Sequence, residues 1–330
     1  MPPQASSFRT ILVPLDGSPL AERALPLARR IAERAGSRLR LVLVHQIPTA
    51  PLDPGAARLF TSIELSTRKS ERSYLRSLQA KLRQEGVRLA SAVTLSGPVG
   101  PALAQYVQEL GIDLVVMATH GRGGVRRAWL GSVADHLLRH LRVPLLLVRP
   151  AEDGAATTSV PAATQILVPL DGSPLAEEVL GPATDLAQLW GSELTLLRVV
   201  HPVVFYGDEL LGWPAPYDKE LTAQLRSQAE DYVRDIAERL RRDGLRASGV
   251  AVVGWGAADA ILKTARPEQV AAIAIATHGR GGVQRLALGS VADKLIRAAE
   301  VPVLVHRPTK AAKPKASRRA AARAAGKARG

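Results

Sequence analysis

A glycine-rich segment that occurs twice in this chain carries its clearest chemical signal. The first copy begins with an apolar run at 114–118, continues as ATHGRGGV and ends in GSVAD at 131–135; both strings return at 276–283 and 289–293. A buried strand, a glycine loop and a helix that begins at the Gly-Ser pair would bring unpaired N–H groups and the positive end of a helix dipole to one place. Phosphate binds at such places. The segment therefore predicts an anion site in each copy.

The start of each of these helices also has a local signature. Ser132 precedes Asp135 by three residues, and Ser290 precedes Asp293 in the same way. This spacing is typical of a capping box, in which the Ser and the acidic residue satisfy backbone N–H groups at the beginning of the helix. We therefore expect Ser132 and Ser290 to begin their helices as capping residues.

Each candidate residue also has a purely structural interpretation. The glycines could form a plain strand-to-helix turn, and Arg122 and Arg280 in the loops could be solvated charges instead of phosphate ligands. Asp16 and Asp171 follow the first strand of each copy and precede Gly, where Asp commonly forms a turn. They could also accept a hydrogen bond from a ribose hydroxyl or an adenine amino group. We favour ligand binding for the glycine loops, which recur with their arginines, and for both aspartates, which follow a strand end.

Several other kinds of site are excluded or disfavoured. The chain has no Gly-x-x-x-x-Gly-Lys-Ser/Thr motif, no Gly-x-Gly-x-x-Gly after the first strand and no cysteine for thiol chemistry. His136 and His140 have the i, i+4 spacing of metal ligands, but the second copy has Lys294 and Ala298 at these places. We interpret the two histidines as a solvent-facing side of a helix. The histidines of the glycine loops have no evident partner, so we predict neither a metal site nor a catalytic residue.

The glycine segment belongs to a longer internal repeat. The string ILVPLDGSPLAE at 11–22 returns unchanged at 166–177. A repeat of about 150 residues indicates a duplicated domain and not a solenoid. We place the first domain at 8–150 and the second at 164–308. Residues 151–163 would form the linker between them, and residues 309–330 a basic tail.

Each domain alternates strand and helix patterns. In the first domain the apolar runs and turn residues predict strands at 10–15, 38–45, 87–95, 114–118 and 143–148, and helices at 18–35, 61–85, 101–110 and 132–141. Ser18 and Pro19 suit the N-cap and the first position of the first helix. Apolar strands separated by helices indicate an α/β fold of two tandem doubly wound domains, each a five-stranded parallel sheet with helices on both faces.

Composition and charge limit the remaining classes. Apolar residues make up 46% of the 330, which is enough for two cores. The chain shows neither the apolar run of a signal peptide nor that of a membrane span, and it lacks cysteine, so we expect a cytoplasmic protein. The segment 310–329 contains eight Lys or Arg and no acidic residue. It therefore carries +8 of the net charge of +14, and the rest of the chain carries +6. We expect this tail to be disordered, either as a solubilising extension or as a non-specific arm for nucleic acid.

These motifs, which occur twice in the same order, resemble the universal stress protein family. ATP-binding members of the family carry Gly, two residues, Gly, nine residues and then Gly-Ser or Gly-Thr. Here the first copy reads Ala118, two residues, Gly121, nine residues and Gly-Ser, and the second copy has Ala276 and Gly279 in the same arrangement. The opening strand that ends in PLDGS and the closing VPLLLV also match. The resemblance covers about 8–308.

The resemblance implies an adenine nucleotide site in each copy. Asp16 and Asp171 would contact the adenosine, and Val44 and Val199 would line the adenine. The glycines and serines of the signature would hold the ribose and phosphates. The residues so assigned are Pro14, Asp16, Val44, Ala118, Gly121, Arg122, Gly131, Ser132 and Val133 in the first copy, and Pro169, Asp171, Val199, Ala276, Gly279, Arg280, Gly289, Ser290 and Val291 in the second.

The implied function is that of a stress-response regulator or sensor that binds ATP, or AMP or ADP, with Mg²⁺ as a counter-ion of the nucleotide. The resemblance also implies that the protein is not a fast enzyme. The alternative is a scaffold of the same fold that binds no nucleotide and whose basic tail binds nucleic acid. An ATP-splitting ligase is disfavoured, because no Ser-Gly-Gly loop follows the first strand. The family also dimerises through its last strand, so we expect 143–148 and 301–306 to pair antiparallel as an intrachain pseudo-dimer, with a homodimer as a further assembly.

Overall fold

The computed structural model of the protein describes residues 7–46, 54–87, 91–119, 130–149, 164–204, 217–266, 268–277 and 288–308. Strands and helices alternate along both copies. The elements of the first copy are β1 (Thr10–Leu15), α1 (Pro19–Glu22), α2 (Leu25–Ala35), β2 (Arg38–His45), α3 (Pro54–Gln84), β3 (Ser91–Ser96), α4 (Val99–Glu109), β4 (Leu114–Ala118), α5 (Ser132–His140) and β5 (Leu145–Val148). Those of the second are β6 (Gln165–Pro169), α6 (Pro174–Glu177), α7 (Leu180–Trp190), β7 (Glu193–Val200), β8 (Val203–Val204), β9 (Tyr217–Asp218), α8 (Lys219–Arg242), β10 (Ala247–Val253), α9 (Ala257–Thr264), β11 (Val270–Ala276), α10 (Ser290–Ala298) and β12 (Val303–His306).

The strands of the two copies join into one large sheet. Within the described residues it has ten strands in the order β10-β7-β6-β11-β12-β5-β4-β1-β2-β3. All pairs of this sheet inside each copy are parallel, whereas β5 and β12 pair antiparallel, with Leu146 opposite Leu304. The expected antiparallel pairing of the two final strands is therefore confirmed. The pair removes two short apolar edges from solvent, which is how natural sheets avoid uncontrolled strand addition.

The α/β fold class is confirmed, and the strand order places the switch point. In the first copy β1 lies between β2 and β4, so the chain winds one way from β1 and then the other. The strands are buried on both faces, since Leu12 and Val42 belong to one apolar cluster and Val13 and Leu43 to the other. Ligands of such sheets bind beyond the carboxyl ends of the strands, near the point where the order reverses.

The first helix is shorter than its sequence pattern predicts. Ser18 caps it as expected, because its hydroxyl accepts a hydrogen bond from Ala21 N over 3.2 Å. However, the single helix predicted over 18–35 is wrong: α1 ends at Glu22, and α2 begins at Leu25. Pro26 has no N–H to donate to the carbonyl of Glu22, so the ladder of helical hydrogen bonds is interrupted at this point.

Other boundaries also differ from the predictions, and one strand pair was not predicted. Helix α3 begins at Pro54, well before the predicted residue 61, and β3 begins at Ser91 instead of residue 87. Val87 is buried, but it belongs to the turn after α3. The short antiparallel pair of β8 and β9, in which Val204 lies opposite Tyr217, had no sequence prediction. Among the described residues, no helix has both the length and the apolar character that a membrane span needs.

Candidate functional site

A cavity of about 670 Å³ lies at the carboxyl ends of β2 and β3 in the first copy. It opens between the beginning of α4 and the beginning of α5. Its lining residues are Gln46, Gly97, Pro98, Val99, Gly100, Pro101, Ser132, Val133 and His136. The volume falls in the range of about 300–1,000 Å³ that is common for small-molecule sites.

In the first copy, several of the residues predicted for the site lie at this edge of the sheet. Pro14, Val44 and Ala118 lie at or near the carboxyl ends of β1, β2 and β4, and all three are buried. In the second copy Pro169 and Ala276 repeat these positions, and Val199 is half-buried at the end of β7. Val133 and Val291 follow the serines in the first turns of α5 and α10. Four of the predicted residues, Gly121, Arg122, Gly279 and Arg280, lie outside the described residues.

Gly131 connects the helix to the strand that precedes it. Its N–H donates to the carbonyl of Thr119 over 3.0 Å, and a Cβ at Gly131 would stand 2.9 Å from the same oxygen. Gly289 repeats the arrangement with Thr277, at 2.9 Å for the bond and 2.8 Å for the contact. The glycine is thus required by the close approach of two backbone segments, which leaves no room for a side chain. Since this N–H is used, the unpaired donors of the helix begin with the next residues.

The predicted capping boxes are wrong. Gly131 and Gly289 are the N-cap residues, neither helix has a side-chain cap, and Ser132 is the first residue of α5, where it lines the cavity. Asp135 instead bonds Arg139 one turn later, at 2.8 Å, and Asp293 bonds Arg297. Because no side chain caps its first turn, each helix presents backbone N–H groups and its positive dipole end to whatever lies in front of it.

Asp16 forms the turn that its sequence context suggests. Its Oδ1 accepts a hydrogen bond from Ser18 N over 2.8 Å, and the intervening Gly17 has φ of 81°, in the left-handed region. Asp171 does the same for Ser173, with N–H and hydroxyl bonds of 2.9 and 2.6 Å. The structural interpretation of both aspartates therefore holds. A role in nucleotide binding would come in addition to it.

His136 lines the cavity, although its sequence suggested a solvent-facing side of the helix. Its ring packs so closely against α4 that a Cβ at Gly100 would stand 2.6 Å from the imidazole Cγ. The ring stacks on His140, with centroids 4.0 Å apart. Burial, and then the charge of His140, lower the pKa of His136. Within the described part of the chain no group of His, Asp and Glu could hold a metal ion.

The second copy differs at this place. Lys294 of α10 takes the position of His136, and its Nζ lies 2.7 Å from Oδ1 and 2.8 Å from Oδ2 of Asp259 in α9. A Cβ at Gly256, the residue before α9, would stand 2.9 Å from Asp259 Oδ2. An ion pair therefore bridges α9 and α10 at the place where the first copy has the cavity between α4 and α5.

The end of β2 has a polar support that sequence reasoning missed. His45 follows Val44 and is only 2% exposed, and its Nδ1 lies 2.8 Å from Oε2 of Glu71 in α3. Val200 takes this position in the second copy. Sequence reasoning also missed the lining residues 97–101, for which the Gly-Pro-Val-Gly-Pro string between a strand and a helix was an available signal.

The comparisons with known proteins agree with this architecture. The profile described as "Universal stress protein family" matches residues 7–149 and again 163–307. This chain belongs to the universal stress protein family. In this universal stress protein the first matched region contains β1 to β5, and the second contains β6 to β12.

Some relatives of this chain match it over nearly their whole length and over both of its copies. A universal stress protein of Mycobacterium tuberculosis is 28% identical over 316 residues, which cover 90% of this chain and 94% of that protein. A second one from the same species is 31% identical over 222 residues, which cover 66% of this chain and 68% of the relative. The crystal structure of a universal stress protein from Archaeoglobus fulgidus has a TM-score of 0.62 at 19% identity and covers 91% of this chain and 98% of that one. The structural likeness confirms the fold.

Proposed function

We propose that this universal stress protein binds ATP or another adenine nucleotide beside its glycine loops and acts as a stress-response regulator or sensor. The observation that carries the proposal is the cavity of the first copy, which lies in front of the uncapped beginning of α5. A nucleotide there would place its phosphates against the N–H groups of Ser132 and Val133. Val44 and the turn of Asp16 would take the adenosine end.

The composition of the cavity supports binding over turnover. Among its lining residues His136 is the one imidazole, and the described lining contains no carboxylate. A general acid and base pair is therefore missing from it. We infer that the protein is not a fast enzyme and that any ATP hydrolysis is slow, with Mg²⁺ serving as a counter-ion of the nucleotide.

The test is calorimetric titration of the full chain with ATP, ADP and AMP. Because a side chain at Gly131 would collide with Thr119, Gly131→Val would confuse ligand exclusion with damage to the fold. Ser132→Trp is sharper, since Ser132 lines the cavity and caps nothing. We expect Ser132→Trp to abolish binding at the first copy, Ser290→Trp to affect the second copy alone, and Ser77→Trp on the exposed side of α3 to change neither.

Two results would contradict the proposal. One is a wild-type protein that binds none of the three nucleotides at millimolar concentration. The other is a folded double variant, Ser132→Trp with Ser290→Trp, that binds as the wild type does. Circular dichroism of each variant shows whether the fold is intact.

A second candidate function concerns the basic tail, which lies outside the described residues. Its eight Lys or Arg without an acidic residue favour non-specific binding of nucleic acid. We propose this as an addition to nucleotide binding, in a cytoplasmic protein that can form homodimers. Weaker DNA binding and a shallower salt dependence after residues 309–330 are deleted support the tail as a binding element, and an unchanged affinity and salt dependence rejects it.

A further inference from the structure

The outer face of α3 carries a row of four basic side chains. Leu75, Leu78 and Leu82 bury the inner side of this helix. On a neighbouring, solvent-exposed side of the helix lie the four residues that we call the basic face: Lys69, Arg72, Arg76 and Arg83. At 3.6 residues per turn they fall within about 60° of one another, and at 1.5 Å per residue the row is about 21 Å long.

The described carboxylates near the basic face pair with other residues. The carboxylates of this part of the chain are held elsewhere, since Glu64 bonds Arg68 over 3.0 Å, Glu71 bonds His45 over 2.8 Å and Glu85 bonds Arg29 over 2.6 Å. Among the described residues, none of the four basic side chains has a carboxylate within 4.0 Å. The residues that lie between them on the same side of the helix are uncharged. The charge of the face is therefore uncompensated within this part of the molecule.

The corresponding helix of the second copy is different. Tyr74 of α3 bonds Glu22, and Tyr232 of α8 bonds Glu177, so the two helices correspond with a shift of 158 positions. At that shift the four places of the basic face hold Ser227, Glu230, Arg234 and Arg241. Their charges are paired on the helix: Arg226 with Glu230 at 2.8 Å, Arg234 with Asp231, and Arg241 with Glu238 at 3.9 Å. The duplicated fold does not require a basic helix at this place.

We propose that the basic face of α3 binds the phosphate backbone of duplex DNA without regard to sequence. A straight, rigid row of cations about 21 Å long suits a polymer that carries one charge per about 1.7 Å of its axis. The exposed Ser73, which lies beside the row between Arg72 and Arg76, adds a hydroxyl donor of the kind that commonly contacts phosphate oxygens. The basic face thus supplies a second, ordered element for nucleic acid, independent of the tail and of the nucleotide sites.

The same face disfavours two other partners. Single-stranded nucleic acid is usually held by stacking on aromatic side chains, and the one aromatic residue between Lys69 and Gln84 is Tyr74, which turns inward to Glu22. Insertion into an anionic membrane needs large apolar residues beside the basic ones. From Lys69 to Gln84 the leucines of α3 lie on its buried side. The large apolar residues of α3 that are exposed precede the row instead of flanking it: Leu59, Ile63 and Leu65.

The experiment measures binding of the full chain to a labelled mixed-sequence duplex of about 20 base pairs by fluorescence anisotropy, at salt from about 50 to about 200 mM. The test variant replaces Lys69, Arg72, Arg76 and Arg83 by Gln. The matched control replaces Arg226, Arg234, Arg241 and Arg242 of α8 by Gln, so that both proteins lose four positive charges. Gln is a good helix former, and circular dichroism confirms that both variants are folded.

We expect the test variant to bind at least about tenfold more weakly at low salt and its log–log salt slope to be shallower by about 3.6, which is 0.9 for each of four contacts. The control should keep the wild-type affinity and slope. Equal behaviour of the test variant and the control would overturn the proposal. A second experiment uses a full chain in which all Lys and Arg of the tail are replaced by Gln. If removing the basic face from that chain leaves its duplex binding unchanged, the proposal is also overturned. Retention of the protein on phosphatidylserine vesicles but not on the duplex would also overturn it.

Discussion

Tyr232 donates its phenolic hydrogen to Oε1 of Glu177 over 3.0 Å and so ties the long helix α8 to the short helix after β6. Tyr74 makes the same bond to Glu22 over 2.9 Å in the first copy. The two pairs fix the long helix of each copy beside the short helix that follows the Asp-Gly turn. Because both residues of each pair come from distant parts of the chain, the bond orients elements that no local rule could position.

Replacing Tyr232 by Phe should lower the free energy of unfolding at neutral pH by about 1–2 kcal/mol, through loss of this hydrogen bond. Burial and then the carboxylate of Glu177 raise the pKa of Tyr232 above its ordinary value of 10.0. The unfolded phenol therefore ionises first as the pH rises through 10, and wild-type stability is lost there. As the pH rises from about 9 to about 11, the free energy of unfolding should therefore fall less for Tyr232→Phe than for the wild type. Tyr217→Phe is the control, since Tyr217 is 45% exposed.

Replacing His306 by Val should make the protein less sensitive to acid. Burial lowers the pKa of His306 below 6.5, and Glu178, 3.8 Å from its Nε2, offsets this only in part. Since the unfolded state then binds the proton more readily, the stability due to neutral His306 is complete above about pH 6.5 and declines as the pH falls below it. Val148 occupies the equivalent place on β5, so Val fits the strand. Urea denaturation should show that His306→Val gains stability over wild type at acidic pH and that this gain shrinks at pH 8. A gain independent of pH would contradict the assignment.

Replacing Gly131 or Gly289 by Ala should destabilise the protein by about 1–3 kcal/mol, because the new methyl group would press on the carbonyl oxygen of Thr119 or Thr277. Gly181→Ala is a suitable comparison. Gly181 lies in helix α7, a Cβ there would meet nothing within 4 Å, and Ala favours the helix. Chemical denaturation should therefore separate the two kinds of glycine, and equal effects at all three positions would disprove the close contact.

Replacing Ser18 by Ala should cost about 1 kcal/mol of stability, because Ser18 caps α1 through Ala21 N. Replacing Ser132 by Ala should leave stability within about 0.5 kcal/mol of wild type, because Ser132 borders the open cavity and caps nothing. Thermal unfolding of both variants provides the measurement. A large loss for Ser132→Ala would restore the capping box that the structure does not show.

Much of the fold follows from local pattern. The duplicated strings, the apolar strands and the Ser18-Pro19 helix start have periodicities and caps that act over a few residues, and the strand Leu114–Ala118 lies where it was predicted. The beginning of α3 at Pro54 and the separation of α1 from α2 were missed. The first lies in a stretch with weak periodicity, and the second depends on one missing N–H at Pro26.

The candidate site divides in the same way. The sequence by itself identified the strand ends, both Gly-Ser helix starts and the aspartate turns, because each is a short-range signal that the duplication repeats. Only the tertiary structure decided that Gly131 is required by the carbonyl of Thr119, that His136 lines a cavity against Gly100, and that β5 joins β12. It also decided that the carboxylates near the basic face turn away from it. These are contacts between residues far apart in the chain, and their geometry is set by how helices pack on the sheet, which no periodicity within one element encodes.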